Sequence, residues 1–330
     1  MTMPVRVANV KRSVPSIVSI IVMFILISRL LLREPTIETG ASLTRRQLHN
    51  DSNIALVLET ALAIKERPVL ITLVNDGYYD MVYSWICNTK HMGFHKQVIF
   101  VVTSQEGTAK MKELSPDINV VVIDVEESMI GHQEYSHVGY VKIMVLRTAI
   151  QSALLQLDIE VYSFECDSVF MKNPLPILRG NSGTYDIVFI SNFQRPKAIN
   201  GGFIHLFPTL ATKETFTELN RKMQELYNKI KNERSDGKVP TYENDQVYLS
   251  NLRNENYAGL KSTVIPFNIF PDGKWYDITE EERRLTNPVL IHNNWIIGNQ
   301  AKMDRLKKWG HWFLKEDKSC DAENIRRVFP

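Results

Sequence analysis

Four apolar runs separated by stretches of helical period constrain this chain more than any other feature. They are VLITLV at Val69–Val74, QVIFVVT at Gln97–Thr103, NVVVID at Asn119–Asp124 and the run Val161–Phe164. Each is apolar at consecutive rather than alternate positions, so both faces of the sheet they build must be covered. Helical patterns lie between them at Tyr79–Met92, Thr108–Leu114 and His137–Leu157. Strands joined through helices imply parallel pairing with helices on both faces. The second half is less regular. Asp186–Ser191, Gly202–Leu206 and Val289–His292 read as strands, Thr212–Lys231 as a charged amphipathic helix, and Asn232–Val239 as a flexible polar loop. The expected class is α/β, a Rossmann-like mixed sheet flanked by helices. No repeat or linker interrupts residues 68–330, which read as one domain.

The amino-terminal part differs in kind. Ser13–Leu32 holds about 20 mostly apolar residues, enough to cross a hydrocarbon core at about 1.5 Å per residue, with Arg29 placed to snorkel. No small-x-small site follows it, so an uncleaved signal anchor is read in preference to a signal peptide. The expected order is a cytosolic tail at 1–12, a transmembrane helix at 13–32 and a polar stem at 33–67. Within the stem, Asn53–Lys65 carries a helical period through Ile54, Leu58, Ala61 and Leu62. Charge leaves the orientation open, since Arg6, Lys11 and Arg12 precede the span and Arg29, Arg33, Arg45 and Arg46 follow it. The sequon Asn50-Asp51-Ser52 places the bulk of the chain in the lumen, as a single-pass type II protein of the Golgi membrane.

Lys and Arg total 39 against 37 Asp and Glu, a formal charge of +2, which excludes wholesale phosphate-backbone binding and nucleic acid as a partner. Three cysteines, Cys87, Cys166 and Cys320, allow at most one internal bridge. Neither Cys-x-x-Cys nor His-Glu-x-x-His occurs, against a zinc ribbon or a zincin.

The segment YSFECDSVFMKNP at Tyr162–Pro174 carries the chemistry. On an extended backbone Glu165 and Asp167, two apart, point to one face and can share one hard divalent cation, which in turn can hold a diphosphate. Ligands of such sheets gather at the carboxyl ends of strands, where Asn75-Asp76, Asp124 and this acidic pair all fall.

Read with TLVNDGY at Thr72–Tyr78, NGGF at Asn200–Phe203, NDQ at Asn244–Gln246 and HNNWIIGNQAK at His292–Lys302, the pair makes a set. In that order and spacing it resembles the nucleotide-diphospho-sugar transferase family. These are glycosyltransferases of the GT-A fold that include plant rhamnogalacturonan-II xylosyltransferases, with a more distant likeness to glycogenin-like enzymes. The resemblance runs from about Pro68 to Phe313. It implies that Asn75, Asp76 and Tyr78 form the nucleotide-contacting first loop and that Lys142 faces sugar or phosphate. It implies that Asp167 is the second acid of a DxD motif binding Mn²⁺ or Mg²⁺, with Glu165 where the first acid is usually Asp, and that His292 completes the metal site. Gly298 then allows close backbone approach to phosphate, Lys302 neutralises the leaving diphosphate, and Asn200 belongs to an Asn-Ser/Thr-Gly loop in which Gly201 replaces the hydroxyl residue. Asp245 and Gln246 line the acceptor and donor-sugar side, Asp245 as nucleophile or as acceptor-orienting group.

The implied activity is metal-dependent transfer of a sugar from a nucleotide-diphosphate donor, a UDP-sugar, to a glycan or glycoprotein acceptor with retention. Lys302 is expected to be exposed and structurally idle. The alternative is a non-catalytic, membrane-anchored sugar- or nucleotide-binding protein of the same fold, which Glu165 and Gly201 permit. A metal-dependent hydrolase fits the acidic pair and ranks third, because this sequence lacks the second carboxylate cluster such an enzyme needs.

Overall fold

The computed structural model describes residues 52–192 and 195–329. The expected span at 13–32, its cytosolic tail and Asn50 of the sequon lie outside the described residues. In chain order the helices are α1 (Ser52–Ala63), α2 (Tyr79–Thr89), α3 (Thr108–Leu114), α4 (Val138–Gln156), α5 (Leu175–Arg179), α6 (Leu210–Ile230), α7 (Asp245–Asn254), α8 (Glu280–Arg284), α9 (Asn299–Lys308) and α10 (Ala322–Val328). The strands are β1 (Val69–Val74), β2 (Val98–Val102), β3 (Asn119–Val122), β4 (Val161–Phe164), β5 (Ser168–Phe170), β6 (Ile187–Asn192), β7 (Arg195–Leu206), β8 (Ser262–Ile265) and β9 (Leu290–His292).

Seven strands form one sheet in the order β3-β2-β1-β4-β7-β6-β8. The first four are mutually parallel, β7 runs antiparallel to both its neighbours, and β6 pairs parallel with β8. The sheet is therefore mixed, as expected. Alternation along β1 explains the continuous apolar runs: Val69 and Ile71 pack into the core under α1, α4 and α6, while Leu70 and Val74 face the core under α2 and α3. From β1 the chain steps outward to β2 and β3, then returns to place β4 on the other side of β1. That reversal is a topological switch point, and such crevices hold ligands in open α/β sheets.

Three features depart from expectation. Residues 52–63 are not stem. Ile54, Val57, Leu58 and Ala61 are buried in the same core as β1 and α4, and Asn53 clasps the backbone of Asp124 through Nδ2 to O at 2.6 Å and N to Oδ1 at 2.9 Å. The folded unit therefore begins before Pro68. Strands β5 and β8 were not expected, and both are held by partners distant in sequence, β9 and β6. The loop after α6 is docked rather than loose, since Gly237 O and Ser235 O accept the Val138 and Gly139 amides at the start of α4 at 2.9 and 3.1 Å. Among the described residues α4 is the one helix long and apolar enough to cross a membrane, and it is instead a mostly buried core helix.

Cys87 of α2 and Cys320 form a disulfide with Cα atoms 5.4 Å apart, tying the carboxy-terminal segment to the sheet's flank. Cys166 remains a buried thiol. Because this bridge closes a loop spanning 233 residues, Cys320→Ser is expected to lower unfolding stability by about 2–4 kcal/mol. Denaturant melts of oxidised wild type against the variant check this, and coincident midpoints would remove the bridge's structural role.

Candidate active site

The site forms where two ladders end side by side. At the carboxyl end of β4 the Glu165 amide donates to Gly202 O at 3.0 Å, setting Glu165 across from Asn200–Gly202, which lie within strand β7 rather than in the expected loop. Three residues later β5 pairs antiparallel with β9, Ser168 opposite His292, and the Asn293 amide donates to Asp167 O at 3.2 Å. This second ladder brings His292 to the acidic pair although 127 residues separate it from Glu165.

His292 Nε2 lies 3.3 Å from Glu165 Oε2 and 3.4 Å from Asp167 Oδ1. One ligand atom from each of the three residues falls within 4.8 Å of the others, close to the ~4–5 Å spread of ligands that share a cation at about 2.0–2.6 Å. Two observations show that the group fits a cation. Asp167 is fully buried and its Oδ1 has no hydrogen-bond partner, a costly arrangement for a carboxylate oxygen unless something positive satisfies it. Gly202 leaves the space open, because a Cβ there would stand 2.4 Å from His292 Cε1 and 2.7 Å from Glu165 Oε2. Burial opposes charge on all three groups. The pull of His292 and Arg147 on Glu165, and of Lys302 and His292 on Asp167, overcomes it and holds both carboxyls below the usual range, and the two carboxylates in turn raise His292.

Lys302 lies one turn into α9, whose amino end is Gly298 at φ 92°, a conformation that suits glycine. Its Nζ donates to Asp167 Oδ2 at 2.7 Å and to the Tyr78 hydroxyl at 2.9 Å. Asp167 thus gives one oxygen to lysine while the other has no hydrogen-bond partner. Burial opposes the ammonium's charge, but Asp167 more than compensates and its pKa rises. The expectation of an exposed, idle lysine is corrected, since its side chain is only 15% exposed and paired with a fully buried carboxylate. Burial pushes the Tyr78 hydroxyl up to about 12, so at neutral pH it stays protonated.

A cavity of about 620 Å³ opens over this group, with Asn75, Tyr78, Asn200, Gln246, Gly298 and Lys302 in its walls. Three expected residues do not line it: Asp167 is fully buried, and Asp76 and Lys142 bond elsewhere. Asp76 does not line the cavity, and its Oδ1 instead accepts the Gly131 amide at 2.6 Å, while the Asn75 amide donates to Gly131 O at 2.6 Å. The two side chains shape the loop rather than both meeting a nucleotide. Lys142 is buried, its Nζ donating to Glu126 Oε2 at 2.6 Å, Ser128 Oγ at 3.1 Å and Lys231 O at 3.0 Å. It therefore locks α4 to its neighbouring loops and faces neither sugar nor phosphate.

The cation that α4 does present is Arg147, which sequence reasoning missed. Five positions along a helix is about 140° around its axis, so it points away from Lys142. Its guanidinium donates to Glu165 Oε1 at 2.9 Å and to Asp245 Oδ2 at 2.6 and 3.2 Å, joining the cation group to the first turn of α7. The signal was an arginine in a mostly apolar helix, a residue type rarely buried without carboxylate partners. Asn244 caps α7 by accepting the Val247 amide at 2.9 Å, which orients Asp245 and Gln246 into the cavity. Gln246 Oε1 accepts the Gly201 amide at 2.8 Å, and Asn200 Oδ1 accepts the Gly202 amide at 3.0 Å. A Cβ on Gly201 would lie 3.2 Å from Arg147 Nη2, so the missing hydroxyl residue gives the guanidinium its room.

The model of the nucleotide-diphospho-sugar transferase family matches residues 93–306, well over half of the chain. The chain belongs to that family. Similar relatives include the beta-arabinofuranosyltransferase RAY1 of Arabidopsis thaliana, 23% identical over 279 residues, covering 76% of this chain and 48% of that protein. Another is the UDP-D-xylose:L-fucose alpha-1,3-D-xylosyltransferase of Arabidopsis thaliana, 20% identical over 283 residues, covering 80% of this chain and 74% of that one. The chain thus spans about half the length of the first of these relatives. Among solved structures, the bifunctional glycosyltransferase WbbM in its apo form matches with a TM-score of 0.50 and 12% identity over 81% of this chain and 50% of that one. That likeness concerns the fold, the GT-A arrangement that a nucleotide-diphospho-sugar transferase is expected to have.

Proposed function

We propose that this nucleotide-diphospho-sugar transferase moves a sugar from a UDP-sugar donor to a glycan or glycoprotein acceptor, with retention, in a cation-dependent reaction. The observation that carries this reading is the orphaned Asp167 Oδ1, buried beside His292 and Glu165 around the space that Gly202 leaves open. An imidazole with two carboxylates suits Mn²⁺, with Mg²⁺ the harder alternative. When bound, such a cation supplies Lewis-acid and electrostatic stabilisation to a departing diphosphate.

The chain's own residues do the rest. Lys302 stands at the diphosphate side with the amino end of α9, where backbone amides and the helix dipole favour an anion. Tyr78 holds the Lys302 ammonium in place. Arg147 fixes Glu165 and Asp245 relative to each other, so cation and sugar subsites keep one geometry. The guanidinium shares the charge of Asp245 Oδ2, which favours an acceptor-orienting role for Asp245 over attack at the anomeric carbon. Asn75, Asn200 and Gln246 line the donor pocket.

We also read the chain as a Golgi type II membrane protein anchored by residues 13–32. The Cys87–Cys320 disulfide supports a lumenal domain, because such bridges persist in oxidising compartments. The purified chain with a panel of UDP-sugars and Mn²⁺ is expected to release UDP, and EDTA or Asp167→Asn is expected to stop the release. A folded chain that binds UDP-sugars and Mn²⁺ but releases no UDP with any donor would instead support the non-catalytic reading.

A further inference from the structure

Past the carboxyl end of α9 the chain doubles back onto α2. The Phe313 amide donates to Ser84 Oγ, midway along α2, at 3.1 Å. A short antiparallel bridge, Leu314 opposite Cys320, then reverses the chain and brings Cys320 to Cys87 of the same helix. Within the turn, Lys318 Nζ lies 2.7 Å from Asp80 Oδ1 in the first turn of α2. The chain next regains α9. At the start of α10, Asp321 Oδ1 accepts the Asn324 amide at 3.0 Å, and Asn324 Nδ2 donates to Gly310 O at 3.0 Å and to Trp312 O at 2.7 Å. Residues 310–324 thus form a clasp, one jaw on α2 and the other on the carboxyl end of α9.

The same two helices meet again at their amino ends, inside the candidate site. Tyr78 stands at the N-cap of α2, and its hydroxyl accepts from Lys302 Nζ of α9 at 2.9 Å, while Asn299 Nδ2 donates to Gly77 O at 2.7 Å. The candidate cation ligands are held by other means, His292 by the β5–β9 ladder and Glu165 by Arg147. The clasp touches none of them, so it bears on the site through the Tyr78–Lys302 contact. A misplacement of about 1 Å can cost about 10²-fold in rate, and a covalent link restrains such movement better than hydrogen bonds open to water. We propose that the Cys87–Cys320 bridge is a positioning device: by fixing the far ends of α2 and α9 it holds Tyr78 against Lys302 and keeps the ammonium aimed at the diphosphate side. This rests on the transferase reading above.

The test is a cycle of wild type, Cys87→Ser/Cys320→Ser, Tyr78→Phe and the three changes combined. Each is assayed below its melting midpoint for UDP release, and by calorimetry for binding of UDP in the presence of Mn²⁺. Removing the bridge is expected to lower kcat roughly tenfold beside Tyr78 and less than about twofold in the Tyr78→Phe background, since changes acting through one contact are not additive. UDP affinity should follow the same pattern. Mn²⁺ affinity should stay at the wild-type value when the bridge is removed. Asn324→Ala opens the α9 jaw with the disulfide intact; it is expected to repeat the pattern and takes the bridge variant's place in the cycle if that variant does not fold. Equal losses in both backgrounds, no loss at all, or a fall in Mn²⁺ affinity matching the fall in kcat would overturn the proposal and leave the bridge a purely stabilising link. Absence of UDP release from every donor, with the cycle intact in UDP binding, would sink the transferase reading alone.

Discussion

Gly202→Ala is expected to lower Mn²⁺ affinity by at least about 10²-fold, and turnover with it. The added Cβ would stand 2.4 Å from His292 Cε1, 2.7 Å from Glu165 Oε2 and 2.8 Å from His292 Nε2, distances that side chains do not tolerate. His292 is fixed by its ladder with Ser168, and Glu165 by Arg147, so neither yields without breaking what holds it. Disturbing only the groups around a metal ligand costs about 10–100-fold in affinity, and this methyl group intrudes among the ligands themselves. Mn²⁺ titration calorimetry and UDP release, with circular dichroism to confirm folding, check the result. Wild-type Mn²⁺ affinity in folded Gly202→Ala would mean that the three residues do not share a cation.

Lys302→Ala is expected to lower kcat by roughly 10²–10³, the range found when one preorganised electrostatic donor is removed. It is also expected to cost stability. Asp167 would lose the partner of its Oδ2 while fully buried, and breaking a buried ion pair costs about 3–5 kcal/mol. The assay therefore belongs well below the variant's melting midpoint, where the folded fraction is known. Lys302→Met, which keeps the aliphatic stem, separates packing from charge: it should regain stability lost through packing but not kcat. Near wild-type turnover in folded Lys302→Ala removes this lysine from the reaction.

The parallel half of the sheet was legible because strands covered on both faces leave continuous apolar runs such as VLITLV, and β1 begins and ends where that run does. The cation group was legible only through motif order. Nothing local to His292 reveals that a three-residue ladder returns it to Asp167. Helix α1 was assigned to the stem because its surroundings are polar. Its burial depends on the groove between α4 and the sheet edge, which no window around residues 52–63 contains. Lys142 and Arg147 show the same limit from the other side. Both are cations on one buried helix, and only the partners that reach them, Glu126 in one case and Glu165 with Asp245 in the other, decide which faces the site. Asp76 reads as a ligand-facing acid until the Gly131 amide is found on it.

The pairing of β5 with β9 gives the site an order of birth. As the chain is synthesised, β1 to β7 emerge first and carry Glu165, Asp167 and Gly202. His292 and Lys302 arrive together after all seven strands of the main sheet, and Cys320 closes behind them onto Cys87. The half of the candidate site that carries His292 and Lys302 thus joins a sheet already laid down, so a product stalled before β9 would carry the seven-stranded sheet without it.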